Sequence, residues 1–389
     1  CNEIVTGWTQ FMSDYSHTGK STSNGPLTNS HTNKDFGQDG VGSITIYDNR
    51  FYVLTGGEIK MYDVATGNLL DSDPIISPTG DPYIEDINGN QAIYVNGESV
   101  FYKFVLDKTA NPPRLVPSWS KTPTVGANPW NIGARNKGVV SDANGNIYFS
   151  RADRIIKYDS SGNLLASTNT AHYISGTPVI SDGKILFYSD DGKIYYYSLE
   201  NMQERGSLAV SYISSSGFTS GTALNGKIYF PGEGASIVSV SDVGSSLVND
   251  NIRTSSGDSY NSPSVATDGN KIFVTYNQYG GGPCRVSAYN PELSSSSWNY
   301  DFSDTVCLSA PTIANGIVYA GAGTKAVALD ADDGSLVWNH DFINDLGTSC
   351  NSPYVRTAII PHGGKAYVGV MKYSVFPSSC IDSRLFIFG

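Results

Sequence analysis

Ala328-Leu329-Asp330-Ala331-Asp332-Asp333-Gly334-Ser335-Leu336-Val337-Trp338 is the stretch whose reading decides the fold. An apolar strand ends at Leu329, the acidic run closing on Gly334 suits a tight reversal, and a new strand runs from Ser335 to the ring of Trp338. Just upstream, Asn315-Gly316 leads into Ile317-Val318-Tyr319, an Asn-Gly turn followed by alternating apolar residues and hence a hairpin signal. The unit therefore reads as turn, strand, strand, turn, strand.

Its first part recurs along the chain. The turn pairs are Asp48-Asn49, Asn88-Gly89, Asn144-Gly145, Asp182-Gly183, Asn225-Gly226, Asp268-Gly269, Asn315-Gly316 and Gly363-Gly364, followed by Tyr52, Tyr94, Tyr148, Phe187, Tyr229, Phe273, Tyr319 and Tyr367. Tyr52 and Tyr367 are 315 residues and seven intervals apart, a mean of 45. Four short strands in a unit of that length define a β-propeller blade. The expectation is an all-β, eight-bladed propeller of four-stranded antiparallel blades, one domain over residues 1–389, with blade repeats over 41–389.

Residues 383–388 read as the third strand of the last unit, so its fourth must come from elsewhere. Residues 1–40 are expected to supply it and then to cross as a polar Ser/Thr/Asn/Gly segment to the first blade. The strand is placed at residues 6–12, with Trp8 matching Trp338. An N-terminal strand completing the last blade would remove two sheet edges. Trp119, Trp298 and Trp338 are likewise expected on outer strands, packing blade against blade.

Composition excludes several classes. Charged residues are 16% and the net charge is −11, from 25 basic and 36 acidic residues with no basic cluster, so nucleic acid is not an expected partner. No stretch reaches the roughly 18 apolar residues of a spanning helix. His17, His31, His172, His340 and His362 show no metal-ligand spacing, and no Gly-x-Ser-x-Gly elbow or phosphate loop occurs. The Asp142-Ala143-Asn144-Gly145-Asn146 and Asp86-Ile87-Asn88-Gly89-Asn90 runs look like calcium loops but lack the terminal Glu and fall where the repeat needs turns.

Cysteines speak to compartment. Cys284 and Cys380 open third strands, while Cys307 and Cys350 precede first strands, ends that share one face of a meander. Cys284 with Cys307 and Cys350 with Cys380 are geometrically reasonable pairs, among three connectivities open to four cysteines. Bridges place the protein in an oxidising compartment. Cys1 has the form of the mature end left by bacterial lipoprotein processing, and a lipid on it would tether the domain without inserting it.

The Ala-x-Asp-x-x-x-Gly-x-x-x-Trp pattern of 328–338, its period, and the opening Trp8-x-x-Phe11-x-x-Asp14-x-x-His17-Thr18-Gly19-x-Ser21 resemble quinoprotein alcohol dehydrogenases and their non-enzymatic relatives. The non-enzymatic branch includes the lipid-anchored propellers of outer-membrane β-barrel assembly, which act as scaffolds. The enzymatic branch implies pyrroloquinoline quinone held between a Trp and a disulfide of adjacent cysteines, with calcium and a catalytic Asp. No two cysteines are adjacent here. The expected function is a non-catalytic extracytoplasmic binding or scaffold protein of the cell envelope or surface, with no cofactor. A quinone-dependent alcohol or sugar dehydrogenase and a glycan-binding or self-assembling surface protein are the alternatives.

A partner surface follows from loop length. Connections between second and third strands, and from blade to blade, emerge on one face. The extended segments 122–137, 276–283 and 371–379 are all of these kinds and carry Trp130, Arg135, Tyr279, Tyr373 and Phe376, residue types common in binding hot spots. An envelope or surface protein, a glycan or a second copy is the expected partner.

Overall fold

The turn pairs do what their residues allow. Asn225 and Gly226 have φ of 53° and 75°, and Asn315 and Gly316 of 50° and 75°, the two successive left-handed residues that match the twist of a tight hairpin. Each such hairpin joins the first and second strands of a blade. The computed structural model describes residues 7–8, 20–21, 23–37, 43–78, 80–87, 89–97, 99–123, 138–151, 153–170, 172–210, 221–231, 237–242, 247–253, 265–277, 282–304, 307, 309–347, 352–372 and 382–389.

These form eight sheets, each built on an antiparallel blade, the expected propeller. Blade one holds Ser43–Tyr47, Arg50–Thr55, Glu58–Asp63 and Leu69–Pro74. Blade two runs from Tyr83–Ile87 to Arg114–Lys121, blade three from Val139–Ser141 to Leu164–Asn169, and blade four from Ile174–Ser181 to Glu204–Ala209. Blade five runs from Thr222–Leu224 to Leu247–Arg253, blade six from Val265–Thr267 to Ser296–Asp301, and blade seven from Thr312–Ala314 to Leu336–Asp341. Among the described residues the sole helix is Ile343–Leu346, between blades seven and eight.

The core is divided among the blade interfaces, because a strand buried on both faces sends alternate residues to opposite neighbours. Tyr195 and Tyr197 pack with Tyr148 and Ile155 of blade three, while Tyr196 between them packs with Ile228 and Val238 of blade five. The repeated Tyr52, Tyr94, Tyr148, Tyr229, Tyr319 and Tyr367 are all fully buried in this way. Burial pushes the Tyr367 hydroxyl up to about 12 and those of Tyr52, Tyr94, Tyr148 and Tyr319 higher, so these five stay neutral.

Tryptophans join the blades at their outer edge. Trp298 Nε1 donates to the Ala331 carbonyl at 3.0 Å, and its ring covers Gly334, where a Cβ would lie 2.6 Å from the indole. Trp119 repeats this on blade three, donating to Ser160 at 3.5 Å and covering Gly162. The turn between third and fourth strands, Asp-x-x-x-Gly in blade seven and Asp-x-x-Gly in blade three, is thus a socket for the tryptophan of the preceding blade.

Blade eight corrects one assignment. Its inner strands, Tyr354–Val355 and Ile360–His362, pair with Lys365–Lys372, and Asp382–Phe388 is third, as expected. N-terminal chain supplies the fourth, but it is His31–Gly37, with His31 opposite Phe388 and Gly37 opposite Ser383. Gly7–Trp8, expected in that role, pair with Ser43–Tyr47 at the inner edge of blade one. Lys20–Ser21 line the inner edge of blade seven in parallel. The physical reason is the socket. Trp338 is received not by a turn of blade eight but by the chain between Ser21 and His31. Pro26 offers its carbonyl to Trp338 Nε1 and to the Tyr319 hydroxyl, both at 3.1 Å, and Gly25 is the residue on which Tyr319 leaves no room for a Cβ. The next residues then fall on the outer edge of blade eight. There Lys34 replaces a tryptophan, its Nζ 2.9 Å from the Gly67 carbonyl of blade one and 4.8 Å from the centre of the Tyr62 ring.

Candidate binding surface

Four-stranded meanders put two kinds of connection on each face, and the face of interest carries those between second and third strands and between blades. Its described part is best defined on blades six to eight. Cys284, at the start of the third strand of blade six, is bridged to Cys307 in the connection to blade seven, with Cα atoms 5.7 Å apart and both residues buried. This is one of the pairings expected from the sequence. The same connection is tied down by backbone, Cys284 N donating to Asp304 O at 2.6 Å and Phe302 N to Cys284 O at 2.8 Å.

Asp304 then reaches the neighbouring blade. Its Oδ2 accepts from Thr324 N at 3.0 Å, in the turn between the second and third strands of blade seven, where Gly323 has φ of 49° and no room for a side chain against the carboxylate. Gly323 O in turn accepts from Val355 N of blade eight at 2.8 Å. Arg285, next to the bridge, grips Asp301 with two hydrogen bonds of 2.5 and 2.7 Å, which hold its guanidinium still more firmly protonated. Blades six, seven and eight therefore share a cross-linked rim.

On blades two to four the same face is braced differently. Arg151 is 1% exposed and donates to the carbonyls of Ser99 at 3.2 Å and Gly97 at 3.1 Å, locking the neighbouring loop. Half-exposed His172 lies 3.6 Å from Asp191 Oδ2, which also accepts from Tyr195 at 2.8 Å and pairs with Lys193 at 3.2 Å. Burial opposes ionisation of Asp191, but these donors outweigh it and keep the carboxyl below its ordinary value.

Trp130, Arg135, Tyr279, Tyr373 and Phe376 lie outside the described residues, as do Cys1, Cys350 and Cys380. The strand ends that flank the five candidates are described. Lys121 and Val139, Asn277 and Cys284, and Lys372 and Asp382 all open onto the disulfide-bearing face.

The quinone arrangement does not fit the described residues. Cys284 and Cys307 are 23 residues apart and packed in the rim between blades six and seven. Trp119, Trp298 and Trp338 are spent on sockets at the outer edge. The calcium-like run 142–146 uses its carboxylate within the turn, Asp142 accepting from Asn144 N, Asn146 N, Asn146 Nδ2 and the Tyr148 hydroxyl at 2.8 to 3.0 Å.

Sequence reading missed one constellation. The fold brings His31 and His340, 309 positions apart, onto the carboxylate of Asp345. Only the identification of His31–Gly37 as the closing strand could have joined them.

An eight-bladed propeller with tryptophan sockets and one reinforced face is the class these features define. The family description that matches, over residues 244–372, is "Outer membrane protein assembly factor BamB". The quinoprotein-type repeat read from the sequence is thus matched there. No curated protein matches. Among solved structures, BamB from Moraxella catarrhalis is similar at 11% identity with a TM-score of 0.60, covering 91% of this chain and 96% of that one. Sqt1 from Chaetomium thermophilum, solved bound to the N-terminus of ribosomal protein L10, is similar at 12% identity with a TM-score of 0.66, covering 92% and 98%. The quinohemoprotein alcohol dehydrogenase of Comamonas testosteroni is similar at 12% identity with a TM-score of 0.53, covering 99% and 81%. At these identities the likeness is one of fold.

Proposed function

We propose that this chain is a non-catalytic binding propeller of an extracytoplasmic compartment, which holds a protein partner on the face that carries its long connections. The observation that carries the reading is the Cys284–Cys307 bridge with the Asp304, Gly323 and Val355 contacts beside it. A buried disulfide supports an oxidising compartment, and a rim fixed across three blades lowers the ordering cost of binding there. The matches to BamB and to a propeller solved with a ribosomal protein segment support a protein as the partner class, and the envelope as the site of action. The reading needs no cofactor.

The test is capture of partners from an envelope extract by the full chain and by Trp130→Ala, Tyr279→Ala and Phe376→Ala, each verified as folded. Loss of a specific protein in at least one variant is the expected result. Unchanged capture in all three, with loss on altering the 108–113 connection of the opposite face, overturns the assignment of the face. Capture of glycan alone, or of further copies of the chain alone, overturns the partner class.

A further inference from the structure

We propose that His31, His340 and Asp345 form a site for a first-row divalent cation, zinc above others, which clamps the N-terminal closing strand to blade seven. The three residues come from three elements that meet only where the ring is closed: the first position of His31–Gly37, the outer strand Leu336–Asp341 and the helix Ile343–Leu346. His31 Nε2 stands 3.1 Å from Asp345 Oδ1, His340 Nε2 stands 2.5 Å from Asp345 Oδ2, and the three ligating atoms lie within 4.8 Å of one another. In a tetrahedral zinc site with bonds of about 2.0–2.1 Å, neighbouring donors are separated by roughly 3.3 Å. Small side-chain rotations reach that arrangement and leave a fourth position for water.

The hydrogen bonding asks for a positive charge at this place. His31 Nδ1 is 3.2 Å from the Asn29 carbonyl, which can only accept, so this nitrogen is the one that carries the proton. Nε2 is then the nitrogen that His31, like His340, presents to the Asp345 carboxylate, and a cation placed between them would take both ring nitrogens and the carboxylate as ligands, with the Asn29 carbonyl as the partner that orients the His31 imidazole. The surroundings suit a sheltered cation. Side chains of the three residues are 11 to 20% exposed. Phe386 and Phe388 stand within 6.2 Å of both imidazoles and Phe342 stands 5.0 Å from that of His340, ring centre to ring centre. Two imidazoles and one carboxylate are borderline donors, which favour zinc and its neighbours over calcium or magnesium.

The experiment uses the full chain, stripped with a chelator, dialysed and titrated with zinc chloride by calorimetry, with melting followed in parallel. One zinc per chain and a rise in Tm of several degrees are expected, because the cation binds only the closed ring. Cobalt(II) in place of zinc should give the visible absorption of a four-coordinate nitrogen and oxygen site. His31→Gln and Asp345→Asn should lose stoichiometric zinc and the cobalt spectrum while keeping the circular dichroism of the stripped parent. If either variant fails to fold, the parent alone decides: no zinc retained at micromolar concentration, or zinc bound with no change in Tm, overturns the proposal. Zinc bound equally well by folded His31→Gln and Asp345→Asn overturns it too, since the ion then sits elsewhere.

Discussion

Gly334→Ala separates two costs that the socket combines. Gly334 and Gly226 share a φ of 75°, but an added Cβ meets nothing within 4 Å at Gly226 and lies 2.6 Å from the Trp298 ring at Gly334. Gly226→Ala therefore reads the backbone term alone, about 1–2 kcal/mol for a left-handed residue with a side chain. Gly334→Ala carries the same term plus overpacking of roughly 1–3 kcal/mol, because Trp298 is 7% exposed and held by its bond to Ala331 O. Trp298→Ala alone should cost about 3–5 kcal/mol. In a Trp298→Ala background the clash is gone, so Gly334→Ala should fall back to the Gly226→Ala value, a coupling of about 1–3 kcal/mol. Urea unfolding followed by far-ultraviolet circular dichroism measures the parent and the four variants. Effects of Trp298→Ala and Gly334→Ala that add to within about 0.5 kcal/mol would refute the socket as the reason for the glycine.

Two further outcomes follow from the seam and the turns. Deleting residues 1–37 should destabilise the protein by about 5 kcal/mol or more, from burial of Phe36 and the ladder to Asp382–Phe388, and by far more than deleting 1–12; equal melting of the two truncations would place the closing strand elsewhere. Burial works against the Asp142 carboxylate, but hydrogen bonds from Asn146, Tyr148 and Asn144 hold its pKa below the ordinary 3.8, so its contribution is complete above about pH 4 and lost as pH falls through the folded value. Asp142→Asn should therefore cost about 1–2 kcal/mol near neutrality and progressively less as the pH falls below about 4 and through the folded value, and a penalty independent of pH would remove the carboxylate from the account.

The ring was legible because its signal is local. Each turn pair, Asn-Gly or Asp-Gly in six of the eight, states a hairpin within ten residues, and eight of them at a steady spacing leave few alternatives. The Cys284–Cys307 pair was legible for the same reason, as the two sit in adjacent connections. The closing strand was not. Its residues, His31-Thr32-Asn33-Lys34-Asp35-Phe36-Gly37, have one large apolar side chain and no alternation, whereas Trp8 imitates Trp338. Outer strands of this protein face solvent and tolerate polar sequences, as Glu204–Ala209 shows, so propensity cannot find them. The Gly25-Pro26 pair was the available clue, once the tryptophan of blade seven was known to need a carbonyl and a glycine. His31, His340 and Asp345 depend on that same register and were out of reach without it.

Because the fourth strand of blade eight is made from residues 31–37, it leaves the ribosome before any of the strands it will join. It waits while more than 300 residues are synthesised, and bringing the two ends together costs about 5 kcal/mol in chain entropy by the logarithmic scaling of loop length. Ring closure is therefore a late step with its own barrier, and until it occurs the last blade offers a bare edge to whichever suitable strand arrives first. A second molecule carries that strand too. At high concentration during refolding, reciprocal exchange of residues 31–37 competes with closure in cis, giving paired rings whose blades are native in every contact but shared in ownership.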